Sequence, residues 1–160
     1  MAKIQRVSLL QKLYGTITIG ATVYHEVVEN GRKIGAPEVV HVERAVHDKW
    51  LQREQPTPNE MSVVAHLLAT TRLHKGEAEA IAMAAGRDAL LLVDDKDARR
   101  VAQALGIPRI GTAGVLLEAC WRGHLSLGAL EDAIADLTRV SWQSPEVIAE
   151  TLRRAREKEL

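Results

Sequence analysis

The sequence predicts an α/β protein built around a mostly parallel sheet, and two observations support this. Short apolar or β-branched segments, such as 16–19 and 89–93, alternate along the chain with longer segments of helical periodicity. The second of these segments is apolar at every position, as in a strand buried on both faces of a parallel sheet. A length of 160 residues suits one domain with its own core. We therefore expect a single domain over residues 1–160, in which about residues 126–160 form a C-terminal helical extension.

The elements of the first half follow from periodicity and from residues that begin or end helices. Residues 4–14 predict an amphipathic helix that Gly15 ends, and residues 16–19 predict a strand. Residues 57–60 read Thr-Pro-Asn-Glu, which is a capping box with proline at the first helical position. A helix is also predicted at 21–29, where Asn30 and Gly31 end it. The remaining predictions for this half are a helix at 37–49, a strand at 50–53, and a helix from the capping box to residue 72.

In the second half, predicted strands and helices alternate more regularly. Gly76 is expected to break the helical pattern ahead of an alanine-rich helix at 77–85. The apolar strand at 89–93 is followed by further elements that the same reasoning predicts. They are a helix at 96–105 closed by Gly106, a strand at 107–110, helices at 113–122 and 127–137, a last strand at 139–142, and a charged helix that begins at Ser144 and Pro145.

The composition excludes several classes of protein. Basic and acidic side chains number 21 each, so no overall charge draws the chain to nucleic acid, and such a contact requires a local basic patch. Cys120 is the only cysteine, which excludes a disulfide framework or a thiolate zinc cluster and favours a buried, inert thiol. No segment has the features of a signal peptide or the roughly 20 apolar residues of a membrane-spanning helix. We therefore expect a cytoplasmic protein that has no membrane partner.

Acidic residues occur where an α/β protein places its functional site. Sites in open parallel sheets form outside the carboxyl ends of the strands, and Asp94 and Asp95 directly follow the apolar segment 89–93. Asp97 lies two residues further on, and Glu79 is followed by small apolar residues that suggest tight packing. Simpler explanations exist for each of these acids: an aspartate can cap the next helix, and a glutamate such as Glu26 on a helix is usually solvated.

Carboxylates that gather at one point favour a divalent cation. They repel each other and raise one another's pKa, and a bound cation relieves that repulsion. Hard oxygen ligands without a cysteine cluster favour Mg²⁺ or Mn²⁺ over zinc. Such ions can activate water and support a phosphoryl displacement. The sequence has neither a P-loop nor a G-x-S-x-G motif, so the acidic residues are the main candidates for chemistry.

Several motifs, taken in their order and spacing, resemble the PIN-domain family of metal-dependent nucleases, especially the bacterial and archaeal relatives of toxin ribonucleases. They lie at residues 13–19, 23–27, 76–82, 92–95 and 105–116. The resemblance implies a three-layer α/β/α fold and hydrolysis of a phosphodiester, usually in RNA, by metal-activated water. It further implies a set of site residues. They are Glu26, Glu79 and Asp95 as catalytic residues and Glu79, Asp94, Asp95 and Asp97 around the metal.

Contacts to nucleic acid are expected from basic residues near these acids. Positively charged side chains there can meet phosphates, although ordinary solvated surface is the alternative for each of them. The candidates are Lys75, Lys96, Arg99 and Arg100, together with Arg72 and Arg109. The resemblance adds Thr112, which matches a position where the family often has a polar residue beside its site.

The chain departs from the family pattern at its beginning. Family members start with an apolar strand that ends in an aspartate and lies in the middle of the sheet, whereas residues 1–4 already fit the first helix. We therefore expect that strand and its aspartate to be missing. Each backbone group left unpaired in such a gap costs about 1–3 kcal/mol, and a whole domain is stable by only about 5–15 kcal/mol. Three explanations remain: a start codon assigned too late, another segment that fills the gap, or closure into a smaller, inactive sheet.

Three functional hypotheses follow. The first is a Mg²⁺- or Mn²⁺-dependent endoribonuclease, the toxin of a toxin–antitoxin pair, with RNA as substrate, an antitoxin protein as partner and a homo-oligomeric state. The second is a non-catalytic binding or dimerisation module of the same fold, which the expected loss of one aspartate favours. The third is a different α/β enzyme whose acidic rim serves phosphoryl transfer on a small molecule.

Overall fold

Short parallel strands and longer helices alternate in the computed structural model, which describes residues 1–159. The strands in this range are β1 (Ile17–Gly20), β2 (Leu51–Glu54), β3 (Leu91–Leu92) and β4 (Arg109–Ile110). The helices are α1 (Ser8–Tyr14), α2 (Ala21–Tyr24), α3 (Gly31–Lys33), α4 (Val39–His47), α5 (Pro58–Thr70), α6 (Lys75–Gly86), α7 (Lys96–Ala104), α8 (Thr112–Trp121), α9 (Leu127–Val140) and α10 (Pro145–Glu159). A 3₁₀ turn (Ala2–Ile4) precedes α1, and a π-helical segment (His25–Asn30) joins α2 to α3.

The strands form two parallel pairs, which confirms the α/β class and the parallel direction. In the first pair, β1 lies beside β2 with Ile17 opposite Leu51. In the second, β3 lies beside β4 with Leu91 opposite Arg109. The expected single sheet is thus divided in two, because β1 and β3 are not hydrogen-bonded to each other.

An apolar cavity of about 500 Å³ lies between the two strand pairs. We call it the slot: residues 16–20 border it on one side and residues 89–92 on the other, and side chains of α1 and α6 also line it. Leu90 and Leu92 remain 48% and 38% exposed there. The prediction of a strand buried on both faces is therefore wrong at these two residues, because within residues 1–159 β3 pairs with no strand other than β4.

Apolar side chains from most helices form three clusters around the strands. The largest joins α1, α8, α9 and α10 through residues such as Leu13, Leu116 and Leu130. A second lies between α5, α6, β3 and α7, with Ile81 at its centre and fully buried. The third packs α4 and the π-helical segment against β2. No helix within residues 1–159 is long and apolar enough to cross a membrane.

Several predicted element boundaries are corrected by the structure. Residues 139 and 140 continue α9 instead of starting a strand, because Leu130, Ile134 and Leu137 bury one helical stripe that extends the helix to its end. Gly76 lies inside the first turn of α6 instead of ahead of it. The helix predicted to stop at Asn30 continues through Gly31, which begins α3.

Gly31 is required by packing, since a Cβ atom there would lie 2.6 Å from Cγ2 of the buried Val39. We expect Gly31→Ala to lower the free energy of unfolding by about 1 kcal/mol, because the cost of overpacking exceeds the gain in helix propensity. Gly128, an exposed helical glycine with nothing within 4 Å of its Cβ position, is the matched control. Gly128→Ala should leave stability unchanged or raise it by up to about 1 kcal/mol. Urea denaturation of both variants measures the difference, and equal effects would contradict the packing argument.

Candidate acidic site

A small cavity of about 230 Å³ lies at the carboxyl ends of the strands and adjoins the slot. We call it the acidic hollow: it is lined by Val23, by residues 76, 77, 80 and 81 of α6, and by residues 91–95. Its acidic lining residues are Glu77, Asp94 and Asp95. The location agrees with the general rule that sites in parallel sheets lie beyond the carboxyl ends of the strands.

Asp94 links the end of β3 to the start of α8. Its Oδ1 accepts a hydrogen bond from the Thr112 amide at 2.7 Å, and its Oδ2 accepts one from the Thr112 hydroxyl at 2.6 Å. Gly111 allows this approach, because a Cβ there would lie 2.9 Å from Asp94 Oδ1. The Thr112 side chain is only 2% exposed. In this arrangement the Thr112 hydroxyl donates to the Asp94 carboxylate and orients it.

Asp95 caps the helix that follows it. Its Oδ1 accepts hydrogen bonds from the amides of Asp97 and Ala98, both at 2.9 Å, at the start of α7. Asp97 is exposed and lies 3.6 Å from Arg100 in an ion pair. The simpler explanation offered by the sequence, a helix cap, therefore describes Asp95, although the remaining carboxylate lone pairs stay available to a ligand.

Glu79 is the most buried of these acids, with 3% of its surface exposed. Its Oε1 accepts from the Thr22 hydroxyl at 2.6 Å and its Oε2 from the Thr22 amide at 3.1 Å, so α6 is fixed to the first turn of α2. Lys75 lies 3.8 Å away on the same helix. Glu77, by contrast, accepts from the His74 amide at 2.9 Å and acts as an N-terminal cap of α6.

Glu26 lies on the π-helical segment and is exposed. Its Oε2 is 3.5 Å from the position that a Cβ of Gly76 would occupy, which places it beside the first turn of α6. Sequence reasoning named Glu26 but missed Thr22, which holds Glu79. The signal was present, since Thr22 lies two residues after the carboxyl end of β1, where the rule that identified Asp94 applies equally.

The basic candidates divide into two kinds. Lys75 and Lys96 are exposed in the first turns of α6 and α7, and each is adjacent in sequence to a residue that lines the hollow. Arg100 is also exposed, in its ion pair with Asp97. Arg99 has a structural contact, because its guanidinium donates to the Val93 carbonyl at 2.9 Å. Only the exposed members are placed to meet a large anionic ligand without rearrangement.

The described residues alone do not fit a metal site with three protein ligands. Within residues 1–159, no three His, Cys, Asp or Glu side chains are grouped closely enough to hold a metal ion. Each of these acids has its own hydrogen-bond partner: Thr22 donates to Glu79, Thr112 donates to Asp94, and backbone amides donate to Asp95. The Met1 amino group is also nearby; burial lowers its pKa and the Asp94 charge opposes that shift.

Comparison with known proteins identifies the family. The family model DUF3368, a PIN domain, matches residues 1–157, which is nearly the whole chain. No curated protein and no solved structure matches the chain. PIN domains are nuclease-type domains that generally use divalent metal ions. On the strength of this match, the chain belongs to the PIN-domain family.

Proposed function

We propose that the chain is an endoribonuclease that hydrolyses RNA phosphodiester bonds with Mg²⁺ or Mn²⁺. Membership of a nuclease-type family supports the class of reaction. The observation that most strongly supports the location of the site is the buried carboxylate of Glu79, which is held at the carboxyl end of β1 while Asp94 is held at the carboxyl end of β3. Side chains fixed in this way are pre-organised for a ligand, since little conformational freedom remains to be lost.

Exposed cations at the rim support RNA as the substrate. Lys75 and Lys96 lie in the first turns of two helices, next in sequence to the lining residues Gly76 and Asp95, and backbone amides add positive potential there. The net charge of zero means that this local pair, and not a global field, would attract a phosphate backbone. We expect Lys75→Ala and Lys96→Ala each to raise the KM for RNA with little change in kcat.

We also propose that the protein acts as the toxin of a toxin–antitoxin pair, in the cytoplasm and as a homo-oligomer. This rests on the sequence motifs shared with toxin-related PIN proteins. Growth arrest on expression, relieved by a co-expressed neighbouring gene product, is the expected result. Normal growth with active purified nuclease would contradict the toxin role and leave the nuclease role intact.

The nuclease proposal predicts metal-dependent cleavage of single-stranded RNA that Asp94→Asn reduces at least about 10-fold, a typical loss for an altered group at a metal site. Cleavage should be measured with Mg²⁺, Mn²⁺ and excess EDTA. Asp132→Asn, at an exposed aspartate on α9, is the matched control and should cleave at the wild-type rate. Cleavage that persists in EDTA, or that both variants retain equally, would contradict the proposal.

A second candidate function is a non-catalytic binding module of the same fold. It is favoured by the lack, within residues 1–159, of a group of three metal-binding side chains. This candidate predicts a folded protein that binds a partner, cleaves neither RNA nor DNA with any divalent ion, and keeps its partner affinity in the Asp94→Asn variant. If the purified protein cleaves no nucleic acid and binds no metal in calorimetry, the binding module therefore replaces the nuclease as the proposed function.

A further inference from the structure

Trp142 presents most of its side chain to solvent, unlike the other two tryptophans. It is 80% exposed. Trp121 instead donates its indole N–H to the Arg154 carbonyl and lies under the Arg154 guanidinium, and Trp50 is half-buried against the core. Within residues 1–159 the Trp142 indole has neither a hydrogen bond nor a ring contact. Tryptophan is highly buried on average, so an indole this exposed is a candidate contact for a ligand.

The turn that carries Trp142 is fixed by hydrogen bonds on both sides. The Ser141 hydroxyl donates to the Leu137 carbonyl at 3.3 Å, and an amide in the first turn of α10 donates to the Ser144 hydroxyl at 3.3 Å. Between them, the Gln143 side-chain amide donates to the Ser141 hydroxyl at 3.2 Å. The turn therefore has little freedom left to lose on binding, which lowers the entropic cost of recognition.

Helix packing places this turn at the end of the molecule where the acidic hollow lies. Asp94 is bonded to Thr112, the first residue of α8. Short connections make α9 return along α8 and α10 return along α9, so α8 and α10 are parallel neighbours. The Trp121 indole donates to the Arg154 carbonyl, and these two residues are equally far from the starts of their helices. Pro145, the first residue of α10, therefore lies beside Thr112.

The separation of the indole from Asp94 is short enough for one strand of RNA to reach both. The axes of packed helices are about 8–10 Å apart, and the steps from Trp142 to Pro145 span at most about 10 Å. The two side chains are thus on the order of 20 Å apart. A nucleic-acid strand advances about 3.4 Å per nucleotide when its bases are stacked, so about six nucleotides or fewer cover this separation.

The size of the exposed surface favours a nucleic-acid base over a protein as the occupant. Trp142, Val140 and Val147 are the exposed large apolar side chains at this turn. Together they present on the order of 300 Å², whereas a stable protein interface buries about 800 Å² on each partner. One indole face matches one base, and base–aromatic stacking accepts any base. Lys3, on the 3₁₀ turn that contacts α9, is exposed without an ion pair within residues 1–159 and can meet a phosphate of the same strand.

We propose that the Trp142 indole stacks on an unpaired base of single-stranded RNA, a few nucleotides away from the phosphodiester bond that is cleaved at the acidic hollow. The proposal rests on the endoribonuclease function proposed above and adds a binding subsite to it. The contact is the same in the ground state and the transition state, so it affects KM and not kcat. Its contribution should persist in salt, because Arg139 beside it is already paired with Asp136 at 2.9 Å and the stacking itself involves no phosphate.

RNA binding, measured with EDTA and again with Ca²⁺, tests the stacking without requiring cleavage. A labelled oligouridylate of about ten nucleotides, within the usual site size of single-strand binders, is titrated into the full chain and followed by fluorescence anisotropy. Trp142→Ala should weaken binding at least about 5-fold, the lower limit for the loss of one stacked base. The ratio of the two Kd values should stay constant as salt is raised, although both affinities fall.

Matched variants separate stacking from simple apolar contact. Trp142→Leu keeps an apolar side chain without a flat ring and should bind at least about 5-fold more weakly than the wild type, whereas Trp142→Tyr keeps an aromatic face and should stay within about 2-fold. Ile34→Ala, at a residue 82% exposed just after α3, should bind as the wild type does. An oligonucleotide that contains 5-bromouridine should crosslink on irradiation to the peptide that contains Trp142, as mass spectrometry maps it.

Four results would overturn the proposal. They are no RNA binding in either condition by a chain that circular dichroism shows to be folded, equal binding by Trp142→Ala, undiminished binding by Trp142→Leu, and crosslinks confined to other residues. A wild-type dimer in sedimentation that Trp142→Ala dissociates would assign the indole to self-association and would also overturn it. RNA binding that depends on Trp142 in a chain that cleaves no RNA would contradict the nuclease function alone, and cleavage by a chain whose binding ignores Trp142 would contradict the stacking alone.

Discussion

Replacing Arg87 by methionine should lower the free energy of unfolding by about 2 kcal/mol at neutral pH, since it leaves the buried Glu60 carboxylate without its main hydrogen-bond donor. The Arg87 guanidinium donates to both carboxylate oxygens of Glu60, at 2.8 and 3.1 Å, and also bonds Glu54. Glu60 is buried and additionally accepts from the Thr57 amide at 2.7 Å. Methionine fills the same space but leaves the Glu60 carboxylate without its cation, and chemical denaturation measures the loss.

The double variant Arg87→Met, Glu60→Gln is the control for this prediction. The second substitution removes the Glu60 charge that Arg87→Met leaves unpaired, so the double variant should recover part of the stability lost in Arg87→Met. Glu60→Gln alone still leaves Arg87 paired with Glu54. Additive losses across the three variants would show that the two side chains do not interact, and would contradict the account.

The same pair predicts how stability depends on pH. The hydrogen bond from Arg87 lowers the pKa of Glu60 from 4.5 to about 2. A carboxylate whose pKa is depressed on folding stabilises the fold above its unfolded pKa, and this contribution is lost as the pH falls from about 4.5 to about 2. The Arg87→Met variant lacks most of this contribution. Its stability should fall less steeply than that of the wild type over that interval, and parallel pH curves would contradict the assignment.

Glu79→Gln should reduce RNA cleavage at least about 100-fold, since altering even the groups that surround metal ligands commonly costs 10–100-fold. The variant should remain folded, because glutamine keeps the size of the buried side chain and an oxygen that accepts from Thr22. The loss should appear in kcat instead of KM, since Glu79 is only 3% exposed and presents little surface for binding RNA in the ground state. Steady-state kinetics with a fluorogenic RNA distinguish the two.

Thr22→Val and Thr22→Ser form the matched control for Glu79. Valine removes the hydroxyl that donates to Glu79 at 2.6 Å, and activity should fall about 10-fold as the carboxylate loses its orientation. Serine keeps the hydroxyl and should keep most of the activity. Full activity of both Glu79→Gln and Thr22→Val would show that Glu79 and Thr22 do not belong to the active site. Exposed acids such as Asp95 would then be the better candidates.

Local chemistry explains which elements could be predicted from the sequence. The start of α5 at Pro58 follows from the reciprocal bonds between Thr57 and Glu60, all within four residues. The end of α9 is different: Val140 and Trp142 favour a strand by propensity, yet the buried stripe that ends at Leu137 keeps residues 139 and 140 helical. Tertiary packing therefore overrides propensity at the end of α9.

The burial of β3 could not be predicted from β3 itself. Its apolar run is typical of a central strand, but whether Leu90 and Leu92 are buried depends on what lies on the side that faces β1. The hydrogen bonds of the site likewise depend on residues that are distant in the sequence. Asp94 was found from its place after a strand, whereas its hydrogen bonds come from Thr112, 18 residues further along the chain, and Glu79 is held by a residue 57 positions away.

Titration of the chain with Mn²⁺, followed by NMR, tests most directly whether the acidic hollow is the functional site. A paramagnetic ion broadens nearby resonances even when it binds weakly, so the measurement needs neither activity nor a complete set of ligands. The account predicts that the amides of Gly76, Glu77, Asp94 and Asp95, which line the hollow, broaden first, and that Asp94→Asn requires at least about 10-fold more Mn²⁺ for the same effect. Broadening centred elsewhere, or unchanged in the Asp94→Asn variant, would contradict the assignment of the site.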